Sequence, residues 1–175
     1  MTHEDYQQAA GHWIKKDAEG VKMPQEELKA AVEEFILAHD TCALATGSGS
    51  FVRCTPIEYT YRDGAFWMFT EGGLKFTALE TNKNVCLAIF HKYEGFGRLK
   101  GMQVTGTAEL VEPFSPEYNA AAASRKIPPE TMKKLGFVMN LLRISPAVID
   151  FLNTDFKAKG YNSRQQLTQP VPSDH

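Results

Sequence analysis

The sequence predicts an α+β domain centred on an antiparallel sheet of about six strands, with helices before, between and after them. Three observations carry that class. Short runs rich in β-branched and aromatic residues recur between turn residues, which is the pattern of strands in a meander. Asp63-Gly64 separates two of these runs, and Asp-Gly supplies the left-handed backbone that a tight hairpin needs. Three strands follow one another with short turns, whereas parallel strands would need a long crossover between them. Closing the sheet into a small barrel would remove its exposed edges.

Residues 1–22 are polar and lack a strong period; they read as a short helix or a loose arm that docks through Trp13 and Ile14. Pro24 stands where a first helical residue would, and Gln25, Glu26 and Glu27 suit a helix N-terminus. Leu28, Ala31, Val32, Phe35 and Ile36 fall on one stripe, so a helix is expected over 24–39. Strands follow at 41–46, 51–61 and 65–70, with turns at Gly47–Ser50 and Arg62–Gly64. Glu71-Gly72-Gly73 breaks the third strand, and 74–82 reads as a helix. Strands at 85–90 and 99–111 flank a Gly-rich loop, the second bent at Gly101 or Gly106. Ser115 as N-cap and Pro116 at the first position start a helix to about Ser124, and Pro128-Pro129-Glu130 starts another. The last strand covers 138–144 and 147–151, interrupted at Ser145-Pro146. The expected organisation is an arm at 1–23, one domain at 24–152 and a peripheral tail at 153–175.

Composition narrows the function. A chain of 175 residues, 43% hydrophobic and 23% charged, buries a core without disulfide or metal staples. Its formal net charge of −2 argues against binding nucleic acid by bulk electrostatics. No apolar run approaches the ~18 residues a membrane helix needs, and residues 1–17 lack the basic-then-apolar order of a secretory leader. Cys42, Cys54 and Cys86 are isolated in strand-like runs with no Cys-x-x-Cys, which points to buried thiols in a reduced, cytoplasmic protein. His12 and His39 have no partner pattern for a metal, and none is expected. His91 at a strand end is read as a surface residue, with a proton donor as the alternative. Tyr93, Phe96, Phe114 and Tyr118 are candidates for a substrate rim.

Two segments carry chemistry. In Arg53-Cys54-Thr55-Pro56-Ile57, alternation puts Arg53, Thr55 and Ile57 on one face, and an Arg among apolar neighbours must meet an anion or reach solvent. Pro56 cannot donate to a ladder, so this strand is an edge or a bulge. A surface salt bridge and a Pro at a barrel rim would also account for these residues. In Phe69-Thr70-Glu71-Gly72-Gly73-Leu74-Lys75 a strand ends in two glycines before a helix with Lys in its first turn. Free N–H groups, the helix dipole and a cation form an anion site. With the hairpin between them, Arg53 and Lys75 converge on a cradle suited to one phosphate. A helix-capping loop with a solvated Lys is the alternative.

The order and spacing of these segments, with Phe66-Trp67-Met68-Phe69-Thr70-Glu71 and Asn82-Lys83-Asn84-Val85-Cys86-Leu87-Ala88-Ile89-Phe90, resemble the pyridoxamine 5′-phosphate oxidase-like FMN-binding split-barrel family. The resemblance covers roughly 28–112 and, less closely, 138–151. It implies a six-stranded split barrel, a homodimer and FMN in the crevice between the two chains. It implies further that Arg53 and Lys75 hold the FMN phosphate, that Cys54, Thr55 and Pro56 line the isoalloxazine, and that Phe69 and Thr70 also contact the cofactor.

The chain departs from the family at several points. Gly73 stands where a Ser or Thr is common. Glu58 replaces a Lys that true pyridoxamine phosphate oxidases carry, and the sequence ends in Thr168-Gln169-Pro170-Val171-Pro172-Ser173-Asp174-His175 without their Arg- and Trp-rich segment. Oxidation of vitamin B6 is therefore not expected. The expected function is a small oxidoreductase that takes a hydride from NAD(P)H, with no catalytic residue assigned. A non-catalytic flavin- or haem-binding stress protein is the alternative.

Overall fold

Eight antiparallel strands form one sheet that curls on itself, in a computed structural model describing residues 1–126, 128, 134 and 136–168 apart from the Trp13 side chain. In chain order the elements are α1 (His3–Ala18), α2 (Gln25–Leu37), β1 (Thr41–Ser48), β2 (Phe51–Glu58), β3 (Thr60–Arg62), β4 (Ala65–Thr70), α3 (Lys75–Leu79), β5 (Asn84–Phe90), β6 (Lys100–Val111), α4 (Pro116–Ser124), β7 (Asn140–Asn153) and β8 (Arg164–Thr168). The sheet runs β2-β1-β5-β6-β7-β4-β3, and β8 pairs with the second half of β7. The helix expected from Pro128-Pro129-Glu130 lies outside the described residues, as does 169–175.

The sheet's two ends are one stretch of sequence. β2 and β3 are joined only through Tyr59, yet they lie at opposite ends of the path, so the chain itself closes the barrel. Tyr59 makes the corner: its N–H donates to Asp40 O at 2.7 Å and its buried hydroxyl donates to Ile36 O at 2.7 Å. This break corrects the single strand expected over 51–61. A second correction comes from β8, in the segment read as a tail. Buried Gln165 receives the Met23 N–H at 3.0 Å and donates to Val21 O and Asn162 O, stapling β8 to the chain ahead of α2. Together these changes replace six strands by eight. β7 is continuous, with the irregularity opposite Thr105/Gly106, where a Cβ on Gly106 would lie 2.3 Å from Ser145 O.

The barrel interior is one apolar cluster. Leu44, Phe66, Met68, Leu87, Val104, Leu142 and Ile149 fill it, and Leu28, Val32, Phe35 and Ile36 of α2 pack against it. A second cluster lies outside β4, where Trp67, Phe69, Val111 and Leu141 meet Tyr118, Ala121 and Ala122 of α4. α4 starts as expected, with Ser115 Oγ accepting from Tyr118 N at 3.2 Å. Residues 3–18 form a full helix with a capping box between Thr2 and Asp5, but its described side chains are exposed except for half-buried Asp17, and Ile14 is 72% exposed.

Candidate functional site

Alternation along β2 sorts the expected site residues between two faces. β2 pairs with β1 so that Arg53 opposes Thr46, Thr55 opposes Leu44 and Ile57 opposes Cys42. Thr46, Leu44 and Cys42 are buried, so Arg53, Thr55 and Ile57 form the barrel-side row. Cys54, Pro56 and Glu58 oppose Ala45, Ala43 and Thr41 and form the exposed outer row. β2 ends the sheet path, which is where Pro56 can stand without a ladder donor. Arg53 is exposed and has no ion pair or hydrogen bond among the described residues. Glu58 is held by Arg125 at 2.5 Å, which ties β2 to the C-terminal end of α4.

Lys75 lies on α3, which packs against β1 and β2. The segment beyond α3 is fastened at the β1–β2 turn, next to Arg53 in the ladder. There Asn82 Nδ2 donates to Gly47 O at 2.7 Å, and Ser48 and Thr81 share a hydroxyl hydrogen bond of 2.7 Å. Lys75 is not the solvated first-turn residue of a long helix. It is 5% exposed, its Nζ donates to Gly72 O, and no carboxylate pairs with it among the described residues. Burial lowers its pKa below the ordinary lysine value. α3 spans five residues, against the nine expected, so its dipole adds little and the ammonium is the main charge.

The loop before Lys75 explains the absent Ser or Thr. Gly72 and Gly73 have φ of 134° and 103°, which side chains rarely adopt, and a Cβ on Gly73 would lie 3.8 Å from Lys75 Nζ. The glycines thus place no side chain against the Lys75 ammonium. Thr70, in line with Phe66 and Met68 of the interior cluster, exchanges hydrogen bonds with Gly72 through Oγ1 at 3.3 and 3.4 Å. Asn140 Nδ2 supports the same loop by donating to Thr70 O and Glu71 O, both at 3.4 Å.

Other expected residues go elsewhere. The Phe69 ring is buried on the opposite side of β4, edge-on to Tyr118 at 5.2 Å, so only its backbone faces the site strand. The four aromatics read as a rim do not gather: Tyr93 and Phe96 pair on the β5–β6 loop, whereas Phe114 packs on Tyr118. Of the thiols, Cys42 is buried, with its pKa pushed up to about 12 by desolvation, but Cys54 is exposed and Cys86 half-buried, both on the outer face. His91 is exposed, and its ring lies 4.7 Å from that of His39, on the side of Phe35.

Sequence reasoning did not find Thr46. Its Oγ1 is buried and makes no hydrogen bond among the described residues, directly across the ladder from Arg53. A buried hydroxyl without a partner is costly. Together with a buried ammonium lacking a counter-ion and a loop stripped of side chains, it fits a bound anion at this end of the barrel.

The pyridoxamine 5′-phosphate oxidase family model matches residues 28–138. No curated protein sequence matches the chain. Solved structures match it in fold. A FAD-binding protein of Mesorhizobium loti is 18% identical, with 69% of this chain and 89% of that one covered and a TM-score of 0.55. The haem storage protein HutZ of Vibrio cholerae is 16% identical, with 71% and 91% covered and a TM-score of 0.57. A conserved hypothetical protein of Mycobacterium tuberculosis is 18% identical, with 89% and 94% covered and a TM-score of 0.61. At these identities the structural likeness establishes the fold alone.

Proposed function

The chain belongs to the pyridoxamine 5′-phosphate oxidase-like family, and from that premise we propose that it binds FMN between two copies and works as a small flavin-dependent oxidoreductase supplied by NAD(P)H. The observation that carries this reading is Lys75, a buried ammonium with no carboxylate, beside two glycines and packed toward the strand of Arg53. A cation in that state is expensive unless an anion completes it. Arg53 and Lys75 hold the phosphate, Arg53 by its planar fork and Lys75 as a point charge. Thr46 and Thr70 supply hydroxyls at the same end. Cys54 and Pro56 line the flavin ring from the outer face of β2, Thr55 meets it at the strand's free edge, and Phe69 contributes its backbone. A single cradle favours FMN over FAD, whose pyrophosphate would need a second. When bound, flavin supplies two-electron redox chemistry; the chain orients it and sets its surroundings.

The dimer is part of the proposal. On the outer face, Val52 and Phe90 are 77% and 64% exposed, and Cys54 and Pro56 are exposed between uncharged neighbours on β1 and β5. Such a face calls for a second copy. Light scattering should therefore give twice the chain mass of 19.5 kDa, and the monomer mass at micromolar concentration would refute the shared site. No helix among the described residues is long and apolar enough to cross a membrane, and three free thiols suit the cytoplasm.

Haem binding without catalysis is the second reading, favoured by the likeness in fold to a haem storage protein. The absorption spectrum of the purified protein separates the two, by flavin bands or a Soret band. Mass spectrometry of heat-released cofactor then tests FMN; recovery of FAD, or no flavin after reconstitution, refutes it. Reduction of the bound flavin by NADH or NADPH tests the oxidoreductase claim.

A further inference from the structure

We propose that α1 is an arm exchanged between two copies. It pairs antiparallel with α1 of the second copy about a two-fold axis at Ala10, and each arm enters a cleft on the other copy. The inference rests on the dimer proposed above.

The fold fixes the root of the arm. Asn162 Nδ2 donates to Asp17 Oδ1 at 3.4 Å, and the Asn162 N–H donates to Val21 O at 2.9 Å. Gly20 sits so close to Asn162 that a Cβ would lie 2.4 Å from its Nδ2. With Gln165 holding Met23 and Val21, the direction in which α1 leaves the body is set. Beyond the root the helix is uncovered: every described side chain from His3 to Lys16 is exposed. A helix of 16 residues is marginal in water without a packed face, and Gly11 in its middle weakens it further.

The helix stands off the sheet and leaves a cleft of about 660 Å³. Ile14, Asp17 and Ala18 line one side of it, and Ala88, Phe90 and Leu152 of the outer sheet face line the other. Ala88 shares a ladder row with Ala43 and Pro56, so the cleft floor continues the face assigned to the second copy. An occupant from that copy meets the arm and the sheet together.

The residues of α1 say which part of the second copy fits. Tyr6, Ala10 and Ile14 recur at i, i+4 spacing and share one stripe, all exposed. Outward from Ala10 in both directions, the helix matches its own reverse. Tyr6 answers Ile14, Glu4 and Asp5 answer Lys16 and Lys15, and Ala9 answers Gly11. In an antiparallel pair the acidic first turn of each copy therefore lies level with the basic last turn of the other, and the two helix dipoles oppose. Small side chains at 9, 10 and 11 let the axes approach to about 8 Å at the crossing. The contact is isologous, as a closed two-fold interface requires. It brings Tyr6 of the second copy level with Ile14, at the cleft, where Phe90 and Leu152 offer an apolar floor.

Sedimentation equilibrium of the full chain as purified tests the arm. Glu4→Lys with Asp5→Lys, or Lys15→Glu with Lys16→Glu, sets like charges against each other at both ends of the pair. Each double variant should weaken the dimer by about tenfold or more. An equimolar mixture of the two, in which every acidic turn again meets a basic one, should restore it; mixing would not repair a helix that had merely lost its own stability. Ala10→Arg, on the two-fold axis, should weaken the dimer, and Gln8→Arg, on the opposite face of α1, should not. A mixture no tighter than its components, or equal dimer constants for wild type and Ala10→Arg, overturns the arm, as does an equal loss from Gln8→Arg and Ala10→Arg. A monomeric wild type overturns the dimer reading and the arm with it, whereas a wild-type dimer indifferent to these changes overturns the arm alone.

Discussion

Replacing Lys75 by Met separates a binding charge from a structural one. Met keeps most of the aliphatic length and removes the ammonium. In the ligand-free protein that ammonium is 5% exposed, donates to Gly72 O and lacks a counter-ion among the described residues. Its loss forfeits a hydrogen bond but relieves a buried charge, and these oppose each other. The net change should stay within about 1 kcal/mol, a shift in Tm of no more than about 2–4 °C at this size. Binding should respond differently. A charge-assisted contact to phosphate is worth roughly 1.5–3 kcal/mol, so FMN affinity should fall about 10- to 150-fold. Riboflavin has no phosphate, and its affinity should hardly move. Arg53→Ala should act in the same direction and more strongly, since Arg binds phosphate in a bidentate way. Quenching of flavin fluorescence, titrated with both ligands, reads the difference. Equal losses for FMN and riboflavin would mean that Lys75 shapes the pocket; no loss for either would mean that the site holds something else.

Protonation gives an independent handle on the same residue: FMN affinity should fall as pH rises through the lowered pKa of Lys75, below 10.5, while riboflavin affinity stays level. In the ligand-free protein the unfolded state binds more protons between that lowered value and 10.5, so stability should rise with pH across the window, and Lys75→Met should abolish both trends. Thr46→Val removes a buried hydroxyl without a partner and should raise ligand-free stability by about 1 kcal/mol in urea titration, an unchanged or lower midpoint counting against the orphan assignment. Gly106→Ala should cost about 3 kcal/mol or more, because its Cβ would meet backbone at 2.3 Å; a midpoint equal to wild type would show that the β6–β7 bulge gives way.

Much of this architecture is legible in local signals. The hairpin at Asp63-Gly64 has φ of 54° and 72°, as its sequence requires, and Gly106 lies at the register shift between β6 and β7, whose extra residue is on β7. The features that were not legible depend on distant partners. Tyr59 sits in a run of strand-forming residues, and only Asp40 and Ile36 make it a corner. Gln165 reads as a polar tail residue until Val21, Met23 and Asn162 satisfy its amide in the interior. α1 did carry a signal, Thr2-x-x-Asp5, which is a capping box. Within the candidate site, the residue types at 53 and 75 carry a sequence signal, but Thr46 has none. Its importance comes from being opposite Arg53 with nothing to bond.

The division of β2 into two rows constrains any ligand that uses the whole segment from 53 to 56. Arg53 and Thr55 belong to the barrel side and Cys54 and Pro56 to the outer side, so no molecule lying flat on one face touches all four. A ligand that does must cross the free edge of β2, with its anionic end at the α3 mouth and its flat part on the uncharged outer face. That geometry demands an edge strand, which is where the sheet path ends and where Pro56 is tolerated. It also accounts for the barrel being closed through Tyr59 and not by a ladder between β2 and β3: a hydrogen-bonded partner on that edge would occupy the crossing point. Seen this way, the gap in the barrel is the feature that lets one short strand present a cation on one side and a flat, neutral surface on the other.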